Sequence, residues 1–297
     1  MTTPPETLEP QAGPGGRTRA PRRGPGRTRA NLPGGAGALL WLLITIIPVY
    51  YVVITSLRDQ QGFYDANPLT PPARPTLSAY ALVLQNDFLR YLANSLVVTI
   101  GTVAITLAVS LMAAYYVVRG RTRFAGFSYR AFLLGLAIPL QATIIPIYYL
   151  ITRAYLYDTL LAIILPSVAF AIPLSVVILA NFLRDVPNEL FESMRVDGAG
   201  DWRMLLSLVI PLTKPALITV SVYDGLNVWN GFLFPLILTQ SSDQRVLPMS
   251  LWAFQGQFRV NIPAVLAAVV LSTLPVLALY ILGRRQLVSG LTAGFGR

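Results

Sequence analysis

No cysteine and no histidine occur in this sequence. Their absence excludes disulfides, zinc sites built on Cys or His, thiol nucleophiles and any Ser-His-Asp arrangement within the chain. Lysine is nearly missing as well. The only one, Lys214, is followed by Pro215 and does not lie in a Gly-rich loop, so the phosphate-cradling pattern G-x-x-x-x-G-K-[ST] does not exist here and the chain is not itself the ATPase of any nucleotide-driven machine. Charge of either sign is scarce: 12% of the 297 residues are charged and 54% are hydrophobic. Soluble domains carry about 25% charged residues, so a chain this apolar belongs in lipid. The formal charge of +10 would fit a nucleic-acid partner only if it formed one stripe; the Arg residues are instead distributed between apolar runs, which reads as membrane topology with no nucleic acid.

What is present is a set of long apolar runs. Residues 1–36 hold seven Pro, seven Gly and six Arg (Arg17, Arg19, Arg22, Arg23, Arg27, Arg29) and almost nothing to bury, which predicts a disordered basic cytoplasmic tail ahead of a transmembrane domain over 37–297. The run at 36–57 is too long for a signal-peptide core and is followed by no small-residue cleavage site, so it is expected to stay as a first helix. Five more runs follow at 94–118, 131–152, 159–183, 215–239 and 262–283. Each is long enough to cross about 30 Å of hydrocarbon at a rise of about 1.5 Å per residue, giving an all-α integral membrane protein of six transmembrane helices. Proline inside several runs (Pro48, Pro139, Pro146, Pro166, Pro173, Pro235, Pro275) is tolerated where neighbouring helices re-satisfy freed carbonyls. With the N-terminus inside, the tail, the 119–130 loop, the 184–214 loop and the C-terminus hold 17 of the 23 basic residues; Arg58, Arg74, Arg90, Arg153, Arg245 and Arg259 remain outside. Both termini are therefore expected on the cytoplasmic side.

The cytoplasmic loop at 184–214 differs from the others by holding five acids (Asp185, Glu189, Glu192, Asp197, Asp201) against four bases. Asp185 and Pro187 start a helix, Leu190, Phe191 and Met194 give it an apolar face, Gly198 is placed as a left-handed stop, and Asp201 is placed to cap a second helix. A short amphipathic helix over 186–201 that projects between two spans suits a partner's groove; a helix lying on the bilayer surface has the same pattern.

The stretch Glu192-Ser193-Met194-Arg195-Val196-Asp197-Gly198, followed after nine residues by Leu208-Val209-Ile210-Pro211, resembles the E-A-A-x-x-x-G-x(9)-I-x-L-P loop of importer-type ABC permeases. Ser193 and Met194 stand where the two alanines would be, and the likeness rests on Glu192, Gly198, Pro211 and the spacing; Asp197-Gly198-Ala199 is similar to the D-G-A form of the sugar-transporting branch. Likeness to that branch, the maltose-type carbohydrate permeases of the MalG kind, extends over nearly everything after residue 40: Asn94-Ser95, Ile138-Pro139-Leu140-Gln141, Ile145-Pro146-Ile147-Tyr148, Asp158-Thr159, Val228-Trp229-Asn230-Gly231-Phe232-Leu233-Phe234-Pro235-Leu236 and Gly290-Leu291-Thr292-Ala293-Gly294. The resemblance implies the type-1 ABC importer permease fold, a bacterial plasma-membrane location, and a role for Glu192, Asp197, Gly198 and Pro211 in coupling to a pair of ATP-binding subunits. It further implies a second, MalF-like permease, an extracellular solute-binding protein, a sugar substrate, and ATP and Mg on the partner ATPase with no cofactor on this chain.

Asp224 lies within the fifth apolar run, where an aspartate costs about 2.5 to 3.5 kcal/mol against lipid, so it must face protein or water. With Asn227 at i+3 and Asn230 at i+6 it forms a candidate polar face of the translocation pathway; an interhelical hydrogen bond to the partner permease is the alternative. Gln141 and Trp229 are further pathway candidates, with membrane packing as the competing role for the aromatic residues. Other classes left open are an ABC permease for a non-sugar solute and an ion-gradient-driven secondary transporter, the latter disfavoured by the single embedded acid and the lack of an internal repeat.

Overall fold

The computed structural model describes residues 32–65, 67–120, 122–254 and 260–293. The expected tail at 1–36 therefore lies almost wholly outside the described residues. Contacts divide the chain into Met1–Ile47 and Pro48–Arg297. Among the described residues every regular element is helical: α1 (Leu32–Ser56), α2 (Gln60–Asp65), α3 (Ser78–Gln85), α4 (Phe88–Arg119), α5 (Arg123–Gly135), α6 (Ile144–Arg153), α7 (Leu160–Arg184), α8 (Asn188–Val196), α9 (Asp201–Met204), α10 (Ile210–Trp229), α11 (Leu233–Leu238), α12 (Leu247–Ser250) and α13 (Ile262–Ala293), with short tight turns between some of them.

Large apolar side chains are exposed along the long helices, for example Leu96, Val97, Ile100, Leu134, Ile145 and Leu165. Patches of that extent are untenable in water but suit lipid or a partner helix. Packing inside depends on small residues, because lipid gives little hydrophobic drive for helix association. On α4 the buried positions Ser95, Thr102, Thr106, Ser110 and Ala114 form one stripe, and α7 presents Ala162, Ser175 and Ala180, so the two backbones approach closely. One core cluster joins α4, α7 and α10 around Leu111, Val176, Leu183 and Val220, and reaches Phe191 and Met204. A second gathers Val83, Phe88, Tyr91, Trp229, Leu247 and Ala264. A third joins Val98, Ile163, Phe234, Leu238 and Val246.

The apolar runs are found as helices, but not as six rods. Among the described residues, four helical segments are long and apolar enough to cross a membrane singly, Gly34–Ser56, Phe88–Arg119, Leu160–Arg184 and Asp201–Trp229, and a fifth crossing results if one bent pair is counted as a span. That pair replaces the straight span expected at 131–152: Arg123–Gly135 and Leu140–Arg153 meet at 98°. The chain between them holds Pro139, whose ring and missing N–H oppose a continuous helix. The run at 215–239 is also divided. Its helical segment begins at Asp201, well inside the loop expected over 184–214, passes through a π-helical turn at Leu205–Val209, and ends at Trp229, after which Asn230–Phe232 separate α10 from α11. Pro211 has no N–H to give the carbonyl four residues back, which accounts for a widened turn immediately before it. The expected last span, 262–283, opens α13 and is helical throughout.

Candidate functional site

Two features stand out: a helical knob at one end of α4, and a cavity where the two divided helices meet. The knob is α8. Its C-terminus closes with the N–H of Ala199 donating to Met194 O (2.9 Å) and that of Gly198 to Arg195 O (3.1 Å), the paired bonds of a Schellman ending. Gly198 takes φ +76°, the left-handed conformation that glycine adopts without a Cβ penalty. Asp201 does not cap the following helix as its position predicts. The N-cap is Gly200 in extended conformation, and Asp201 Oδ1 instead accepts from Tyr115 Oη (3.2 Å) and Arg195 Nη2 (3.2 Å). The Arg195–Asp201 pair is mostly exposed, at 71% and 69%, and contributes at most about 1 kcal/mol.

The inner face of the knob is fastened by Arg119, the last residue of α4. Its guanidinium lies 3.5 Å from the centre of the Phe191 ring. It donates to Val186 O (3.1 Å), Leu183 O (3.5 Å) and Asn188 Oδ1. One planar cation thus joins the end of α4, the Leu183 carbonyl in the last turn of α7, the Val186 carbonyl just beyond it and the start of α8, combining a stacking contact with helix C-terminal capping. The outer face is open. Glu192 is exposed and makes no side-chain hydrogen bond or ion pair to the described residues. Val196 is 87% and Trp202 68% exposed. Pro211 is exposed on the stem, in the first turn of α10.

The cavity, of about 360 Å³, is bounded by Gly135, Leu136 and Ile138 at the first helix break, by Gly231 and Phe232 at the second, and by Ser167, Phe170, Asp224 and Asn227 on α7 and α10. Asp224 is 2% exposed, and Ser175 Oγ donates to its Oδ2 at 2.8 Å. Asp224 thus makes an interhelical bond to α7 of its own chain. Asn227 Nδ2 donates to Tyr223 O (2.9 Å) within the same helix.

Of the residues singled out in the sequence, Glu192, Asp197 and Gly198 stand together on the knob, and Asp224 and Asn227 share the cavity. The others fall elsewhere. Trp229 is 7% exposed and packed among Val83, Phe88 and Ala264; Asn230 is exposed with Nδ2 donating to Leu226 O (2.8 Å); Gln141 is exposed in the tight turn Leu140–Thr143. None of these three lines the cavity. Arg119 and Ser175 were not signalled by the sequence, since each is an ordinary residue for its location and acquires its role only from a partner on another helix.

Residues 104–288 match the family described as the binding-protein-dependent transport system inner membrane component. The chain is 38% identical, over 86% of its length and 93% of the relative's, to a putative ABC transporter permease of Caldicellulosiruptor sp.. It is 31% identical to the trehalose/maltose transport system permease MalG of Thermococcus litoralis, over 87% and 94% of the two chains. Among solved structures, a bacterial ABC transporter that imports the acidic polysaccharide alginate superposes with a TM-score of 0.75 at 21% identity, over 86% of this chain and 96% of that one.

Proposed function

The chain belongs to the family of binding-protein-dependent transport system inner membrane components, and from that premise we propose that it is the permease subunit of an ATP-driven importer that carries a carbohydrate across the bacterial plasma membrane, with both termini cytoplasmic. The substrates that its relatives are named for, trehalose and maltose among them, support the carbohydrate reading. The excess of basic residues in the tail, in the 119–130 and 184–214 loops and at the C-terminus supports the orientation. In this reading the chain makes and breaks no bond. ATP and magnesium act on a partner pair of ATP-binding subunits, a second permease completes the pathway, and an extracellular binding protein delivers the sugar.

The observation that carries the proposal is a helix held by its inner face and open on its outer one. Glu192 offers an unpaired carboxylate to a basic partner, while Arg119 and Phe191 transmit displacement of α8 to α4 and α7. A partner shifts the conformational equilibrium only through contacts that differ between states, so the ATPase must grip the knob more tightly in one of them. The test is ATP-driven uptake by membrane vesicles containing the assembled importer. Glu192→Ala lowers uptake and the stimulation of ATP hydrolysis by loaded binding protein, while the amount of inserted chain stays the same. Unchanged uptake and stimulation would remove the knob from the coupling path.

A further inference from the structure

We propose that the cavity between the two helix breaks is a hydrated subsite for an uncharged or amino-bearing sugar, in which the Asp224 carboxylate accepts hydroxyl or ammonium protons and repels acidic sugars. This deepens the carbohydrate reading above and rests on it. Asp224 is almost fully buried, yet it lines the cavity, and only its Oδ2 has a donor, Ser175 Oγ at 2.8 Å. Oδ1 has no donor among the described residues and is not sealed from the cavity. No Arg or Lys lines the space to neutralise it.

Two further features point to water and a polar ligand in place of lipid. An ionisable group within a membrane span faces the bundle interior or a water-filled space. Irregular backbone at membrane depth persists only where protein covers it or where it borders such a space, and here two interruptions, at 136–139 and 230–232, border the same cavity. The remaining lining has the mixture that sugar rings require. Phe170 and Phe234, with ring centroids 5.9 Å apart, offer apolar faces to C–H groups, and Ser167 and Asn227 add polar points. The volume of about 360 Å³ falls in the range of small-molecule sites. An unfilled buried acceptor favours a ligand that brings a donor, and a second negative charge beside it in a weakly screened interior is disfavoured.

The lack of native cysteine makes the test specific to this chain. Asn227→Cys, and separately Ser167→Cys, are introduced into the assembled importer in membrane vesicles, and Tyr155→Cys, at a position 94% exposed, serves as the control. Trimethylammonium-ethyl and sulfonato-ethyl methanethiosulfonates are applied, and modification is followed by the intact mass of the chain. The cationic-to-anionic rate ratio at both cavity positions is expected to exceed the control's about tenfold and to fall to the control's with Asp224→Asn. Maltose and glucosamine slow modification and galacturonate does not. If the Asp224→Asn variant does not assemble, the ratios at the two cavity positions decide the matter. No reaction at either position, no charge preference, or equal protection by galacturonate overturns the subsite. ATP-driven uptake of radiolabelled neutral oligosaccharides by the same vesicles separates the two claims: such uptake alongside labelling that shows no charge preference overturns the subsite alone, and uptake indifferent to ATP overturns the transport reading.

Discussion

At residue scale, Gly198 joins local conformation to function most directly. Its φ of +76° is unfavourable for a residue with a Cβ, but a Cβ placed there meets no heavy atom within 4 Å. Substitution therefore costs conformational energy and not a clash, about 1–2 kcal/mol for an ordinary L-residue and less for Asn, which tolerates the left-handed region. Gly198→Val is expected to lower the thermal unfolding midpoint and ATP-driven uptake, with Gly198→Asn retaining most of both; equal losses would point to a side-chain collision instead. Arg119 gives a second prediction. Arg119→Lys keeps the charge but loses the flat fork that stacks on Phe191 and reaches three acceptors, so the midpoint falls despite the conservative exchange. The glycine was legible because an acidic helix followed by Gly has one common backbone solution. The arginine was not: its acceptors lie 64 to 69 residues further along, and in the sequence it is one of four basic residues in a loop. For Trp229 the sequence left pathway lining and packing open, since an aromatic residue beside Asn230 has the same composition in either role; it packs in the cluster with Val83, Phe88 and Ala264.

At the scale of elements, the length of the apolar runs was legible and their continuity was not. Pro166 and Pro173 lie inside an unbroken α7, whereas the chain bends by 98° near Pro139. A proline frees a carbonyl in either case; whether the helix continues is decided by the neighbours that surround it, which no local pattern records. Gly135, at the end of α5, shows one such neighbour. A Cβ there would lie 3.1 Å from Pro173 Cγ, a ring atom that cannot rotate away, while a Cβ on Gly126, in the same helix, would meet nothing within 4 Å. Gly126→Ala is expected to leave the protein unchanged or stabilise it by up to about 1 kcal/mol through helix propensity. Gly135→Ala is expected to lower the unfolding midpoint in detergent by prising α5 from α7. If the two substitutions behave alike, the contact between Gly135 and Pro173 does not set the position of the bend.

At the scale of the whole molecule, α4 carries a fastened cluster at each end, Arg119 at one and Arg90 and Asn94 at the other. The residues between Arg90 and Arg119 span about 43 Å by helical rise. At the Arg90 end the segment after α11 is held from two sides. Asn94 Nδ2 donates to Asp243 O and Arg245 O, both at 2.8 Å, Ser95 Oγ accepts from Leu247 N at 2.8 Å, and Arg90 pairs with Asp243. From the α6–α7 connection, Asp158 Oδ1 accepts from Gln240 N (2.8 Å), Ser241 N (3.0 Å) and Ser241 Oγ (3.1 Å), and Thr159 caps α7. The pairs Asn94-Ser95 and Asp158-Thr159, visible in the sequence only as points of resemblance, thereby have a physical task. Burial alone would raise the Asp158 carboxyl, but its three hydrogen bonds outweigh this and hold it below the usual carboxylate value. The unfolded chain therefore binds the proton more readily, so the stabilisation is present above the unfolded value of 3.8 and is lost as pH falls through the lower folded one. Asp158→Asn, which tolerates the positive φ of 61° at this position, is expected to lower the unfolding midpoint at pH 7, and the gap from the parent narrows as the pH is brought from 5 towards 3. A gap that stays constant across that range would mean that the carboxylate's charge does not hold the 239–245 segment in place.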